Sequence, residues 1–308
     1  SPVSPRLGRR RWAAWLSAAC CLLFAAGVAW LWQPDKEEER IPPPRPADNV
    51  RLVFGDGQSV TLDEAGPAEL ARIDGADVKP QARSIDYSAK GTAKDTAAEY
   101  HTIIVPKYGE YTVRLADNSV VKLNSESTLR YPVAFQGKTR EVWLTGEAYL
   151  EVASDPARCF KVHTGETTVS VLGTTFNVAN TPDGETVTTL VSGRVSVDNG
   201  RANRVISPGQ QAVTRQDSEA IDVRKADIAA ATAWTRDMFY FNEEPLETIM
   251  ETLSRWYEFG VVFENEAARK RRFTVESSRY ENIDQILTLI EETGVVTCRK
   301  EGRTIHIR

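Results

Sequence analysis

Apolar residues recur along this chain in three rhythms. The first is an unbroken run over residues 12–32 that carries no charge. At 1.5 Å rise per residue, about 21 residues make a helix of roughly 31 Å, the thickness of a bilayer's hydrocarbon core. Trp12, Trp15, Trp30 and Trp32 stand at its two ends, where an indole ring prefers the headgroup region. The second rhythm is alternation. Runs at 50–54 with 60–62, and at 111–115 with 120–123, flank Gly55-Asp56-Gly57 and Ala116-Asp117-Asn118-Ser119. These predict two hairpins similar enough to suggest an internal repeat. Short alternating strands are expected next at 141–144, 148–152, 160–163, 168–172, 175–178, 187–191 and 194–197. Turn residues separate them at the spacing of a sandwich, barrel or β-solenoid rather than a parallel α/β sheet.

The third rhythm is helical and begins after residue 238. Leu246, Ile249, Met250, Leu253 and Trp256 form one apolar stripe, opened by Glu243-Glu244-Pro245 and closed at Gly260. Ile283, Ile286, Leu287 and Ile290 form another, capped by Asn282 and ended by Gly294. Strands are expected at 238–241, 261–263 and 272–275. A last hairpin pairs 295–298 with 303–307 across Glu301-Gly302. The order β-α-β-β-α-β-β describes a small α+β domain.

The expected fold class is therefore mainly β with a small C-terminal α+β domain and one N-terminal transmembrane helix. Its divisions are a cytoplasmic stub (1–11), a transmembrane helix (12–32), a Pro-rich linker (33–49), a β-rich domain (50–199), a connector (200–237) and the C-terminal module (238–308). Arg6, Arg9, Arg10 and Arg11 precede the apolar run and Glu37, Glu38 and Glu39 follow it. Basic flanks stay in the cytoplasm, so the bulk of the chain is expected on the far side of the membrane. The alternative is a cleaved signal peptide with Gly27-Val28-Ala29 as its small-x-small site. Against it, the run is longer than a signal core and continues through Trp30-Leu31-Trp32. Pro42, Pro43, Pro44 and Pro46 keep the linker extended, and it is the expected exposed site for proteolysis. The sequence opens on Ser1 and reads as a fragment that starts shortly before the membrane.

Charge narrows the chemistry. The formal net charge is −5 over 308 residues, with no basic face beyond residues 6–11. No nucleic-acid partner is expected. The run 269–272 reads as a solvated loop between strands. Cys20 and Cys21 lie in the apolar run, Cys159 and Cys298 far apart outside it, and His101, His163 and His306 are scattered. No metal site, cofactor site or catalytic constellation is expected. Glu147 and Glu151 fall on one strand face about 13 Å apart, too far for a glycosidase pair. They read as a solvated face. Trp143, Tyr149 and Phe176 alternate with polar neighbours and read as core. Gly146 and Gly173 read as sharp turns, and Asn124 and Asn177 as turn-edge caps of nearby backbone.

Several segments read together as a pattern: Val105-Pro106-Lys107-Tyr108-Gly109-Glu110-Tyr111, Leu144-Thr145-Gly146-Glu147-Ala148-Tyr149-Leu150-Glu151-Val152, Val171-Leu172-Gly173-Thr174-Thr175-Phe176-Asn177-Val178 and Thr189-Leu190-Val191-Ser192-Gly193-Arg194-Val195. They resemble the FecR family of membrane-bound anti-sigma regulators, in the form common in Bacteroidota. Pro245-Leu246, Arg255-Trp256-Tyr257 and Ile286-Leu287 are similar to the C-terminal domain that accompanies it there. The resemblance implies a single-pass inner-membrane transducer with its C-terminal bulk in the periplasm. Its implied partners are an extracytoplasmic-function sigma factor, bound by a cytoplasmic segment upstream of Ser1, and the signalling domain of a TonB-dependent outer-membrane receptor.

A partner could add a strand to an open sheet edge of the small domain, a mode that needs no active site. The candidate edges are 295–298 and 304–307, with Val295, Thr297, Thr304 and Ile305 as candidate partner-binding residues. Two other readings stand beside the transducer: an anchored structural or adhesive envelope protein, and an anchored periplasmic enzyme acting on polysaccharide.

Overall fold

A computed structural model describes residues 41, 49–62, 64–65, 73, 77–79, 83–88, 99–181, 184–216 and 218–308. The stub, the apolar run 12–32 and most of the linker lie outside these residues. Among the described residues no helix is long and apolar enough to cross a membrane.

Alternation builds a β domain of two open nine-stranded sheets. In chain order its strands are β1 (Arg51–Val53), β2 (Ser59–Thr61), β3 (Asp77–Lys79), β4 (Ser84–Asp86), β5 (Tyr100–Ile104) and β6 (Tyr111–Arg114). There follow β7 (Val120–Leu123), β8 (Thr128–Pro132), β9 (Thr139–Thr145), β10 (Glu147–Glu151), β11 (Cys159–Thr164) and β12 (Thr167–Val171). The last six are β13 (Thr175–Asn180), β14 (Glu185–Ser192), β15 (Val195–Asp198), β16 (Asn203–Ile206), β17 (Gln210–Arg215) and β18 (Asp222–Lys225). One sheet runs β16-β15-β12-β11-β9-β8-β5-β1-β2 and the other β18-β17-β14-β13-β10-β7-β6-β4-β3. From β3 onward the chain lays down one or two strands in a sheet, crosses to the other, and keeps advancing toward the same end. The result is a sandwich with the progression of a solenoid. Inward residues of both sheets, among them Leu52, Val142 and Phe160 from one and Val121, Leu150 and Phe176 from the other, share a single core. This is the outcome that period-two burial requires.

Three expectations change here. Residues 203–225, expected within a connector, form β16, β17 and β18 and complete both sheets, because Ile206, Ala212 and Val213 are buried. Trp143 and Tyr149 are not core residues. In β9 the inward positions are Arg140, Val142 and Leu144, and in β10 they are Ala148 and Leu150, so both aromatics face outward. Trp143 instead stacks on His163 at 5.4 Å, with the Arg130 guanidinium 4.8 Å from its ring centre. Gly146 is a turn as expected: its φ is +88°, and a Cβ there would lie 2.6 Å from Ser127 Oγ. No side chain fits that corner without moving the backbone.

After the sandwich come α1 (Ile228–Thr232), capped by Asp227, and a 3-10 turn (Ala233–Arg236). The C-terminal module follows as β19 (Met238–Pro245), α2 (Leu246–Tyr257), β20 (Gly260–Phe263), α3 (Glu266–Arg269), β21 (Arg272–Ser278), α4 (Ile283–Glu291), β22 (Cys298–Glu301) and β23 (Thr304–Ile307). The two apolar stripes of α2 and α4 are buried as their spacing predicts. Asn282 caps α4 by accepting from the Asp284 N–H. The left-handed residue that ends α2 is Glu258, two residues earlier than the expected Gly260. The basic run 269–272 is not a loop throughout, since Arg269 closes α3 and Arg272 opens β21. The module's strands form two small sheets, β19-β21 and β20-β23-β22. Its core is separate from that of the sandwich, and it includes one distant residue: Ile41 from the linker, 1% exposed. At that position the linker is buried rather than exposed.

Candidate functional site at the domain junction

The outer face of one sheet is where the two domains meet. Strands β7, β10 and β13 are neighbours, and pairing aligns Tyr149 with Asn177 and Glu147 with Ala179. Glu147, on the outward face of β10, therefore comes within reach of Asn177 and of Asn124, just past the end of β7. Asn124 Nδ2 donates to Glu147 Oε2 at 2.7 Å, and Asn177 Nδ2 donates to Oε1 at 2.8 Å. The 3-10 turn brings Trp234 over this cluster, and its Nε1 donates to Asn177 Oδ1 at 3.2 Å.

From the C-terminal module a single side chain completes the cluster. Arg279 Nη1 donates to Asn124 Oδ1 at 3.0 Å and to Glu110 Oε1 at 2.5 Å. Its guanidinium lies 3.8 Å from the ring centre of Trp256, where cation–π attraction is strong once water is excluded. Its backbone is held as tightly. The Arg279 carbonyl accepts from Trp256 Nε1 at 2.7 Å, and its N–H donates to the Asp237 carbonyl at 2.8 Å. Around this centre Tyr108 meets Trp256 edge to face at 5.6 Å, and Lys107 Nζ stands 3.2 Å from Glu258 Oε1. Two cavities flank the clamp. One, of about 340 Å³, is lined by Arg83, Glu110, Lys122, Trp234, Asp237 and Tyr280. The other, of about 320 Å³, is lined by residues that include Glu147, Arg255 and Trp256.

Burial decides the electrostatics. Desolvation pushes the Glu110 carboxyl up to about 7, against the pull of Arg279; Asp237 adds repulsion and Arg83 relieves it. Glu147 is raised by the same cause and is opposed by its hydrogen bonds to Asn177 and Asn124 and by Arg279. A carboxyl whose folded pKa exceeds its unfolded value stabilises the fold fully below the unfolded pKa and loses that contribution as pH rises. For Glu110 the window runs from about 4.5 to about 7. The domain junction should thus weaken between about pH 4.5 and about pH 7, and Glu110→Gln should remove part of that dependence. Thermal melts of both proteins across this range check it; parallel pH profiles would count against the assignment to Glu110.

The sequence reading places these residues differently. Glu147 is enclosed by two amides rather than solvated. Asn177 caps no neighbouring backbone, and Asn124 does so only in part, accepting from the Ser125 N–H at 2.8 Å. Their main work is to hold a carboxylate and an arginine. Arg279 and Trp234 belong to no motif, and their partners lie far away in sequence, so no local signal marks them.

The residues proposed as a strand edge are not brought together as one. Thr304 and Ile305 lie on β23, the middle strand of its sheet, which pairs parallel with β20 and antiparallel with β22. Neither can accept a new strand. Thr297 is spent inward, exchanging backbone hydrogen bonds with Arg308 at 3.2 and 3.0 Å. Val295 is 49% exposed and precedes the strand. Strand β22 starts three residues later than expected, and the Cys298 N–H on its outer side donates to Glu291 Oε1 at 2.6 Å. The other edge is β20. Gly260 and Glu264 donate inward to the Arg303 and Ile307 carbonyls, so alternation turns Val261 and Phe263 outward.

The family described as FecR protein matches residues 101–196, and that described as FecR, C-terminal, matches residues 238–307. Together they span more than half of the 308 residues. Two crystal structures, each of a candidate anti-sigma factor from Parabacteroides distasonis ATCC 8503, at 1.65 and 2.50 Å, are similar to this chain. Both are 28% identical with a TM-score of 0.58; the likeness covers 67% and 68% of this chain and 98% of each of theirs. No curated protein matches.

Proposed function

Since the chain belongs to the FecR family, we propose that it is a membrane-anchored anti-sigma regulator that relays the state of a TonB-dependent outer-membrane receptor to an extracytoplasmic-function sigma factor. The family and its structural neighbours support the regulatory role. The relay rests on one observation, the junction at Arg279. A partner that engages the C-terminal module moves a residue locked to the outer face of the β sandwich. The module therefore cannot shift without disturbing Glu110 and Asn124. The arrangement suits transmission of force: Arg279 is held at once by Glu110, Asn124 and the face of Trp256, and no nucleophile of the junction is paired with a base. The uncharged run 12–32 would carry the motion across the inner membrane, with the sandwich and module in the periplasm.

A transcriptional reporter for the neighbouring sigma factor tests this reading. Deleting the chain should change reporter output and abolish its response to the receptor's ligand. Unchanged transcription would favour an envelope protein of structural or adhesive role.

The partner surface on the module is the outer edge of β20, where an added strand would find the backbone groups of Val261 and Phe263. Val261→Pro removes an outward N–H and leaves the inward bonds to β23 in place. It should lower capture of the receptor's signalling domain at least tenfold in a pull-down. Equal capture by the variant and the native protein would rule this edge out.

A further inference from the structure

The junction at Arg279 uses the outer face of one sheet. The other sheet, β16-β15-β12-β11-β9-β8-β5-β1-β2, carries a different set of side chains on its own outer face. Pairing there sets Arg130 opposite Trp143 and Trp143 opposite His163. The rings of Tyr100 and Trp143 meet at 68° with centres 5.7 Å apart. The Arg130 guanidinium rests in the corner they make, 4.1 Å from the centre of Tyr100 and 4.8 Å from that of Trp143. His163 stacks on Trp143 and lies 3.0 Å from Glu141 Oε2 and 3.2 Å from Thr168 Oγ1. The row is thus ordered before any partner arrives, which lowers the entropy lost on binding. Arg130 is nonetheless exposed, and among the described residues it donates to no protein acceptor. A stacked guanidinium with a free N–H edge is the geometry that receives a carboxylate through two parallel hydrogen bonds.

Charge and apolar surface on the same face agree with this. Lys161, on β11, and Arg194, just ahead of β15, are two further cations with no hydrogen-bond acceptor among the described residues. The carboxylates beside them are engaged: Glu141 by His163 and by Thr139 at 2.7 Å, and Asp198 by the Gly200 N–H at 2.7 Å. The face is therefore locally positive on a chain of net charge −5. Toward the β16 edge lies a cavity of about 360 Å³ lined by residues that include Cys159, Ser170, Leu172, Ser196 and Val205. Leu172 and Val205 are 49% and 58% exposed. Six strands from β8 to β16, of about five residues each, cover roughly 24 by 17 Å, which suits a segment rather than a whole domain.

We propose that this face docks an acidic segment of a protein partner, with Arg130 in the corner of Tyr100 and Trp143 as the carboxylate receptor and the cavity beside Leu172 and Val205 as the seat of an apolar side chain of the same segment. Three to four strand spacings separate the two subsites, roughly 14–19 Å, so the carboxylate and the apolar residue stand about four to six extended residues apart. The trio of Tyr, Trp and Arg is the composition that dominates binding energy at protein interfaces. The surface is separate from the Arg279 junction and from the β20 edge, so its failure would leave the relay untouched.

The test selects random dodecapeptides on the immobilised full chain, with Arg130→Gln run beside it. The native chain should enrich peptides that carry Asp or Glu about four to six residues from a large aliphatic side chain. Individual peptides should bind Arg130→Gln about tenfold more weakly or worse, the worth of a charge-assisted hydrogen bond. Arg130→Lys should recover little, because an ammonium lacks the planar fork. Leu172→Ser with Val205→Ser should keep the acidic preference and lose the apolar one. All three residues are exposed, and circular dichroism melts check that each variant folds. Equal affinity for native and Arg130→Gln chains, enrichment without an acidic residue, or no enrichment at all would overturn the proposal. Arg130-dependent capture of anionic phospholipid vesicles, or an Arg130-dependent dimer in sedimentation, without acidic peptides in the selection, would overturn it in favour of a lipid surface or a second copy of the chain.

Discussion

Arg140→Ala should cost the β sandwich about 3–5 kcal/mol of unfolding free energy, the usual loss when one partner of a buried ion pair is removed. Arg140 points into the core from β9 and is fully buried, and the side chain of Asp117 is 5% exposed. Arg140 Nη1 donates to Asp117 Oδ2 at 2.7 Å and to the Ala153 carbonyl at 2.9 Å, while Nε donates to the Arg158 carbonyl at 3.0 Å. Asp117 in turn holds the turn between β6 and β7 by accepting from Ser119 N and Oγ at 3.0 and 2.8 Å. Without the guanidinium, a carboxylate is left inside an apolar sandwich beside two carbonyls that have lost a donor. Urea denaturation read by circular dichroism measures the loss. The double variant Arg140→Met with Asp117→Asn should lose less than Arg140→Ala, because it leaves no unpaired charge. A single variant within 1 kcal/mol of native would show that water reaches this pair.

The second large effect is at the junction. Arg279→Ala should separate the unfolding of the C-terminal module from that of the sandwich and weaken their docking by about 2–5 kcal/mol, as expected when one side of a buried, hydrogen-bonded charge pair is truncated. Arg279→Lys should rescue little. An ammonium cannot reach Glu110 and Asn124 together while lying flat on Trp256. Differential scanning calorimetry should resolve two transitions in the variant and one in the native chain, and small-angle scattering should show a larger radius of gyration for the variant. One unchanged transition in Arg279→Ala would mean that the remaining contacts, such as Tyr108 on Trp256, hold the domains by themselves.

Much of this architecture is written in local patterns. The hairpin at Ala116-Asp117-Asn118-Ser119 is legible because turn chemistry and alternation act within a few residues. The two module helices are legible for the same reason: Asn282 and the stripe Ile283, Ile286, Leu287 and Ile290 carry their own start signal and burial face. The readings that fail are those that need a partner distant in sequence. Trp143 reads as core because it is aromatic, yet the phase of β9 is set by Val142 and Leu144. Arg140 takes an inward position because Asp117 and two carbonyls wait for it there. Strand order in the module is equally non-local: β23, last in the chain, inserts between β20 and β22, and so the expected edge becomes the centre. Glu147 shows the same limit, because only the folded chain brings Asn124, Asn177 and Trp234 around it.

The most direct test of the central claim is a chromosomal reporter for the sigma factor in three strains: native chain, deletion, and Arg279→Ala at native abundance. If the module signals through its junction with the sandwich, the receptor's ligand should change transcription in the native strain and leave the other two unresponsive. A native-sized response in the Arg279→Ala strain would contradict the account.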